Sequence, residues 1–104
     1  MQQYFSLAGR TALVTGGSRG IGRMIAKGFL RAGARVIICS RKLDECEATA
    51  KELSEYGECL PLSADLSSEE GARKLYQDLQ AHCQKLDILV NNAGTSWGAP
   101  LDDF

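Results

Sequence analysis

The chain has 104 residues, with 12 basic and 13 acidic side chains and a formal net charge of −1. This length predicts one small domain, and the charge argues against the basic surface that binds nucleic acid or anionic membranes. The apolar runs are too short to span a bilayer, and the first residues lack the basic region and apolar core of a signal peptide. We therefore expect a cytoplasmic globular domain.

Apolar runs that alternate with amphipathic segments predict the element order βαβαβαβ. The first strand is expected over residues 11–15, and its lack of polar alternation indicates burial on both faces of a parallel sheet. The first helix is expected over residues 21–32. Its predicted buried stripe consists of large apolar residues, Ile21, Ile25, Phe29 and Ala32. We expect Gly28 to allow a close approach of this helix to the sheet, and Gly33 to end the helix.

The remaining elements follow at regular spacing. They are the second strand over 35–39, the second helix over 42–56, the third strand over 59–62, a third helix after an N-cap at Ser67–Ser68, and the fourth strand over 86–90. The second helix is expected to bury Leu43, Cys46, Ala50 and Leu53. The third is expected to bury Ala72, Leu75, Leu79 and Cys83. Right-handed crossovers then give a doubly wound parallel sheet of the Rossmann type, and Pro100 opens a further predicted helical turn.

The cysteines and the histidine do not form a metal-binding pattern. Cys39, Cys46, Cys59 and Cys83 are separated by 7, 13 and 24 positions, and His82 adjoins only Cys83. We expect no metal site and reduced, mostly buried thiols. A histidine near the end of the third helix suits the negative end of the helix dipole.

A glycine-rich segment, Thr-Gly-Gly-Ser-Arg-Gly-Ile-Gly over residues 15–22, connects the first strand to the first helix. Glycines permit positive φ and let phosphate oxygens approach main-chain N–H groups. The following helix directs its unsatisfied N–H groups and positive dipole end at the same place. The segment therefore predicts a nucleotide pyrophosphate site, and the alternative is an ordinary glycine-rich turn.

The spacing of Gly16, Gly20 and Gly22, flanked by Thr15 and Ile21, resembles the cofactor loop of the short-chain dehydrogenases/reductases. The later string Asn-Asn-Ala-Gly over residues 91–94 resembles a second motif of that family. The resemblance covers residues 7–104, and within the family the chain is similar to bacterial 3-oxoacyl-[acyl-carrier-protein] reductases of the rhamnolipid-biosynthesis type.

The resemblance implies the strand order 3-2-1-4 and the N-terminal, NADP-binding half of a reductase of roughly 250 residues. It also implies hydride transfer from NADPH to a carbonyl, with a 3-oxoacyl thioester of fatty acid biosynthesis as the substrate. Relatives commonly form homotetramers. The alternatives are a non-catalytic NADP(H)-binding module and an inactive fragment.

The end of the second strand bears on the choice of cofactor. An acid at this position would bind the ribose 2′-hydroxyl of NAD and repel the 2′-phosphate of NADP. This chain has Ser40 there, followed by Arg41, while Arg19 lies in the glycine loop. Two guanidinium groups can form charge-assisted bonds to a phosphate, so we expect a preference for NADP(H) over NAD(H). Alternatively, both arginines are solvated surface charges.

Further contacts are implied by the resemblance alone. Ser18 would bind the adenosine ribose or its phosphate, and the Ile21 N–H would bind the pyrophosphate. Asp65 would accept from the adenine amino group, with a backbone contact from Leu66, although Asp65 could instead cap the third helix. The adenosine and ribose side of the cleft would be lined by Asn91, Ala93 and Gly94. Alternatively, Asn91 and Asn92 tie strand ends together.

No catalytic residue can be assigned. Relatives use a Tyr-x-x-x-Lys pair and an upstream serine, in which the tyrosine protonates the developing alkoxide. The tyrosines here are followed at the fourth position by Ala8, Leu60 and Gln80. Ser96 and Trp97 would border the substrate cleft, although a tryptophan is more often a packing residue. The fourth strand would present an apolar edge that contains neither proline nor lysine.

Overall fold

Four parallel strands form one sheet in the computed structural model, which describes residues 6–92. The strands and helices, in chain order, are β1 (Thr11–Thr15), α1 (Gly20–Arg31), β2 (Arg35–Ser40), α2 (Leu43–Leu53), β3 (Cys59–Ser63), α3 (Glu69–His82) and β4 (Ile88–Asn91). The order across the sheet is β3-β2-β1-β4. The predicted fold class, element order and strand order are confirmed.

The strand register brings the carboxyl ends of the strands to one edge of the sheet. Thr15, the last residue of β1, lies opposite Cys39 of β2 and Asn91 of β4. In the same way, Ser40 at the end of β2 lies opposite Ser63 at the end of β3. The loops that leave these four strands therefore emerge side by side, which is where open α/β sheets bind ligands.

Alternate residues of β1 and β2 point to opposite faces of the sheet, and each face has its own core. Ala12, Val14, Val36 and Ile38 pack with α1 and α2, while Leu13, Ile37 and Cys39 pack with α3. Both central strands are buried on both sides, as their apolar sequences predict. Helices on both faces make the sheet doubly wound.

The buried face of α1 differs from the predicted stripe. Ile21 is 67% exposed, and the residues that the helix buries are Gly22, Ala26 and Leu30. Ile25, Phe29 and Ala32 are only partly buried at the margin of the core. The prediction for Gly28 is also wrong, because no atom lies within 4 Å of the position a Cβ would occupy there. The close approach is made by Gly22, where a Cβ would overlap the carbonyl oxygen of Gly16.

Gly33 ends α1 as expected. It has a φ of +103°, in the left-handed region, and its N–H donates to the carbonyl of Leu30 at 2.9 Å. The predicted face of α2 is confirmed for Cys46, Ala50 and Leu53, whereas Leu43 is 43% exposed. Leu43 is the first residue of α2, at the rim of the sheet, and so lies beyond the core.

The end of α2 and the start of β4 differ from the predicted positions by three and two residues. The second helix ends at Leu53, three residues before the predicted end, and β4 begins at Ile88 instead of residue 86 because its ladder with β1 begins at Ala12. The third helix buries Leu75 and Leu79, with Ala72 and Cys83 at the margin of the core, as predicted. The Ser68 hydroxyl caps α3 by accepting from the Gly71 N–H at 3.0 Å. The helical turn predicted at Pro100 lies outside the described residues.

The cysteines are free thiols, and Cys39, Cys46 and Cys59 are buried, in agreement with the expectation of reduced, mostly buried thiols. Burial raises the pKa of Cys39 to about 12 and that of Cys59 to about 11. Among the helices that the structure describes, none has the length and apolar character needed to cross a membrane.

A carboxylate fastens β4 to the sheet at the end opposite the cleft. The Thr11 N–H donates to Asp87 Oδ2 at 2.9 Å, and Asp87 Oδ1 lies 3.5 Å from both Arg10 and Lys85. The hydrogen bond from Thr11, followed by the charges of Lys85 and Arg10, lowers the pKa of Asp87. This cluster couples the start of β1 to the start of β4.

Candidate cofactor-binding site

A cleft of about 510 Å³ lies at the carboxyl ends of the strands. It is lined by residues from the glycine loop, the end of β2, the start of α2, the segment after β3 and the end of β4. These residues are Gly16, Ser18, Arg19, Cys39, Ser40, Arg41, Lys42, Glu45, Ala64, Asp65, Leu66, Ser67 and Asn92.

The glycine loop depends on glycine at specific positions. Gly16 and Gly20 have φ values of +68° and +63°, which residues with a Cβ rarely adopt. Gly17 packs so closely on β2 that a Cβ there would lie 2.7 Å from Cγ2 of Ile38. Gly22 lets the first turn of α1 lie against Gly16. The loop thus turns sharply from β1 into α1 and leaves its main chain open to a ligand.

The N-terminus of α1 suits an anion. Arg19 occupies the N-cap with extended backbone and makes no side-chain capping bond, and the first turn contains no acidic residue. The first turns of α2 and α3, in contrast, each carry two acidic residues. The N–H groups and the positive dipole end of α1 are therefore not neutralised by a carboxylate of its own first turn.

Helix α2 holds the glycine loop through Ser18, which is 7% exposed. The Thr49 hydroxyl donates to the Ser18 carbonyl at 2.8 Å, in a buried hydrogen bond. One helical turn earlier, Glu45 Oε1 accepts from the Ser18 hydroxyl at 3.3 Å. Both the backbone and the side chain of Ser18 are thus fixed by one helix.

The end of β2 presents cations to the cleft. The Ser40 hydroxyl donates to the Lys42 carbonyl at 3.1 Å and lies 3.2 Å from the Cys46 thiol, so it shapes the turn into α2. Arg41 and Lys42 are exposed, as is Arg19 in the glycine loop. Within residues 6–92, none of these three cations is in an ion pair with an acidic side chain. Their charges are available to a bound anion.

Asp65 organises the turn between β3 and α3. Its Oδ1 accepts from both the N–H and the hydroxyl of Ser67. These two bonds, and to a smaller extent the charge of Arg41, lower the pKa of Asp65. Because Ser68 is the residue that caps α3, the alternative that Asp65 caps this helix is wrong. The carboxylate is therefore ionised and exposed at the cleft.

The end of β4 is joined to β1 by Thr15, whose side chain is fully buried. The Thr15 hydroxyl donates to Asn91 Oδ1 at 3.0 Å and accepts from the Asn92 N–H at 2.8 Å. The alternative that these asparagines tie strand ends together is thus confirmed for the side chain of Asn91 and the backbone of Asn92. Asn92 also lines the cleft.

The structure brings together seven of the predicted site residues along the cleft: Gly16, Ser18, Arg19, Ser40, Arg41, Asp65 and Leu66. Gly20, Ile21, Gly22 and Asn91 are not part of the lining, although they lie in the adjoining loop, helix and strand end. Ala93 and Gly94 lie outside the described residues, as do Ser96 and Trp97.

Sequence reasoning missed Lys42, Glu45 and Asn92, as well as Cys39, Ala64 and Ser67. The signal for the first two was their place directly after β2, where α2 must begin beside the ligand edge of the sheet. The signal for Asn92 was the alternation of side chains in a strand, which sends neighbouring residues to opposite sides. Among residues 6–92, no group of three or more histidine, cysteine, aspartate or glutamate side chains is arranged to hold a metal ion.

The chain is similar to known proteins over nearly its whole length. The family model described as short chain dehydrogenase matches residues 10–104. The rhamnolipids biosynthesis 3-oxoacyl-[acyl-carrier-protein] reductase of Pseudomonas aeruginosa is 64% identical over the 104 residues. The chain spans 41% of the length of that reductase.

Solved structures that share this fold include two nucleotide complexes. The active-site complex of RhlG with NADP from Pseudomonas aeruginosa is 66% identical, with a TM-score of 0.87, over 92% of this chain and 39% of that one. The L-sorbose reductase of Gluconobacter frateurii, solved with NADPH and L-sorbose, is 31% identical, with a TM-score of 0.83, over 98% of this chain and 40% of that one.

Proposed function

Because this chain belongs to the short-chain dehydrogenase family, we propose that it forms the NADP(H)-binding part of a reductase that converts a carbonyl into a secondary alcohol. The observation that carries the proposal is the cleft at the strand ends. It combines a glycine loop, the uncapped N-terminus of α1, and the cations Arg19, Arg41 and Lys42. The substrate class that we propose is a 3-oxoacyl thioester, which is supported by the name of the 64%-identical reductase.

The cleft fits a dinucleotide phosphate in three respects. Positive φ at Gly16 and Gly20 leaves the loop backbone open to phosphate oxygens. The first turn of α1 offers N–H groups and a positive dipole end to the pyrophosphate. Arg19 and Arg41 both line the cleft, and their guanidinium groups are suited to bind a 2′-phosphate.

The remaining contacts are those that the resemblance to the family implies. The ionised Asp65 accepts from the adenine amino group, with Leu66 beside it, and Ser18 and Ser40 offer hydroxyl groups to the ribose or its phosphate. Ile21 and Gly22 contribute main-chain N–H groups from α1, and Gly20 sets the entry to that helix. By the same resemblance, the contacts proposed for the adenosine and its ribose include Asn91, Ala93 and Gly94.

NADPH supplies the hydride when it is bound, and these residues hold it in place. None of the 104 residues is proposed as catalytic, since no tyrosine in the chain is followed by lysine at the fourth position. We expect the chain alone to bind NADPH without oxidising it in the presence of a 3-oxoacyl thioester. Catalysis, a cytoplasmic location and assembly into a homo-oligomer are proposed for a longer protein of roughly 250 residues.

Direct titration tests the proposal. Nicotinamide fluorescence would report binding of NADPH and of NADH to the wild-type chain and to two variants. Arg41→Ala is expected to weaken NADPH binding by about 1.5–3 kcal/mol, which is the contribution of a hydrogen bond to a charged group. Binding of NADH should be nearly unchanged because NADH has no 2′-phosphate.

Arg31→Ala is the matched control, because Arg31 is an exposed arginine in the last turn of α1, away from the cleft. It removes the same charge and should alter neither affinity. Equal losses for NADPH and NADH in Arg41→Ala would contradict the phosphate clamp. A folded chain that binds neither cofactor would contradict the proposed function.

A further inference from the structure

Glu45 brings a second negative charge, in addition to that of Asp65, into a cleft whose other charged residues are cations. It lies in the first turn of α2, is partly buried, and lines the cleft with Arg19, Arg41 and Lys42. No acidic residue occurs in the glycine loop itself. A carboxylate among three cations reduces the positive potential that a phosphate would meet.

The contact between Glu45 and Ser18 adds a second effect. A serine hydroxyl has one hydrogen to donate, and in this structure the Ser18 hydroxyl donates it to Glu45 Oε1 at 3.3 Å. The buried bond from Thr49 to the Ser18 carbonyl holds the backbone of Ser18 in place independently of Glu45. The Ser18 hydroxyl can therefore change its acceptor without movement of the loop.

We propose that Glu45 is a specificity-determining residue that limits the affinity of the cleft for NADP(H) relative to NAD(H). Its carboxylate orients the Ser18 hydroxyl when no nucleotide is bound. It then competes with a 2′-phosphate, both for the hydroxyl hydrogen and through repulsion between like charges. A nucleotide without the 2′-phosphate is not subject to this competition. The inference rests on the proposed binding of NADP(H).

Glu45→Gln separates charge from hydrogen bonding, because the glutamine carbonyl still accepts from Ser18 while the negative charge is removed. We expect this variant to bind NADPH about three- to tenfold more tightly than the wild type at low salt, as expected for removal of one like charge near a partly exposed site. Binding of NADH, whose phosphate groups are only those of the pyrophosphate, should change much less. The gain for NADPH should shrink in high salt, where such interactions are screened.

Glu47→Gln provides the matched control. Glu47 is exposed on the same helix, two positions from Glu45, and does not line the cleft. The substitution produces the same change in net charge, so an equal gain in NADPH affinity would attribute the effect to overall charge and overturn the inference.

The titrations distinguish failure of the inference from failure of the proposed function. If the wild type binds NADPH and Glu45→Gln binds it equally or more weakly, the role of Glu45 is wrong while the cofactor site stands. If the folded wild type binds neither NADPH nor NADH, both are wrong. Glu45→Ala, which also removes the acceptor for Ser18, should again leave NADH affinity nearly unchanged. A loss of NADH affinity in that variant would show that Glu45 only supports the loop.

Discussion

Gly22 and Gly28 occur in the same helix, but adding a methyl group should have opposite effects on stability at the two positions because their surroundings differ. At Gly22 a Cβ would overlap the Gly16 carbonyl oxygen and would lie 2.8 Å from Asn92 Nδ2. At Gly28 it would meet no atom within 4 Å. The two positions therefore separate the intrinsic helix preference of alanine from the cost of overpacking.

Gly22→Ala is expected to destabilise the chain by about 1–3 kcal/mol, because the first turn of α1 would have to move away from the glycine loop. Gly28→Ala should instead stabilise it by about 0.5–1 kcal/mol, since alanine loses less backbone entropy in a helix. Urea unfolding followed by circular dichroism measures both. A Gly22→Ala variant with wild-type stability would mean that the helix does not need this close approach.

The small residues of α1 explain why its buried face was not predicted correctly. Hydrophobic periodicity assigns the core to large apolar side chains, and Ile21 and Phe29 fit that pattern. A helix that lies close to a sheet buries small residues instead, here Gly22 and Ala26. The distance between a helix and a sheet is set by tertiary packing. The sequence pattern alone therefore did not show which side of α1 faces the sheet.

At the scale of elements, α2 both completes the core and holds the site. Leu53 and Cys46 are fully buried against the sheet, while Thr49 and Glu45 reach the glycine loop. The first role was predictable from apolar spacing. The second was not, because contact between α2 and the glycine loop depends on how the two helices lie on the same face of the sheet.

Thr49→Val is expected to destabilise the chain by about 1–3 kcal/mol, because the buried Ser18 carbonyl loses its donor while the side-chain shape is kept. The looser loop should weaken NADPH and NADH binding by similar factors, in contrast to the selective effect expected for Glu45. Thr49→Ser retains the hydroxyl and should restore most of both losses. If Thr49→Val had the same urea midpoint of unfolding as the wild type, the proposal that α2 holds the glycine loop in place would be contradicted.

The strands were the most predictable elements, and their ends supplied most of the candidate site. The bounds of β1 match the prediction, and strand ends in a parallel sheet converge whatever the connecting loops contain. The predicted start of β4 was two residues too early. Residues 86 and 87 fit the hydrophobicity pattern of a strand, but the paired residues of β1 and β4 begin with Ala12 and Ile88. Asp87 instead donates its N–H to the Thr11 carbonyl at 2.9 Å and binds Thr11 through its side chain.

For the molecule as a whole, the ionisable groups define a pH range of maximal stability. The pKa values of Asp65 and Asp87 lie below the ordinary 3.8, so stability from these groups is present above that pH and is lost as the pH falls through their folded-state values. The pKa of Cys39 is raised from 9.0 to about 12 and that of Cys59 to about 11. Stability should therefore decline as the pH rises above 9.0, because thiols of the unfolded chain ionise first.

Urea unfolding from about pH 2 to about pH 11 would follow the acid loss of stability and most of the alkaline loss. Asp87→Asn should flatten the acid limb, since the variant has no charge to lose at this position. Cys39→Ala should flatten the alkaline limb, since the variant has no thiol to ionise at this position. An alkaline limb that is unchanged in Cys39→Ala would mean that ionisation of this thiol does not limit stability.

The strand order also allows the strands to pair stepwise as the chain is synthesised. β1 meets β2 after a short connection, whereas its other neighbour, β4, begins only at Ile88. Because the chain is made from its N-terminus and distant contacts form slowly, β1, β2 and β3 can pair before β4 exists. The hydrogen bonds of Thr15 to Asn91 and Asn92 can then form only after β4 has been synthesised. The nucleotide cleft, which includes Asn92, is therefore among the last features of the sheet to be completed.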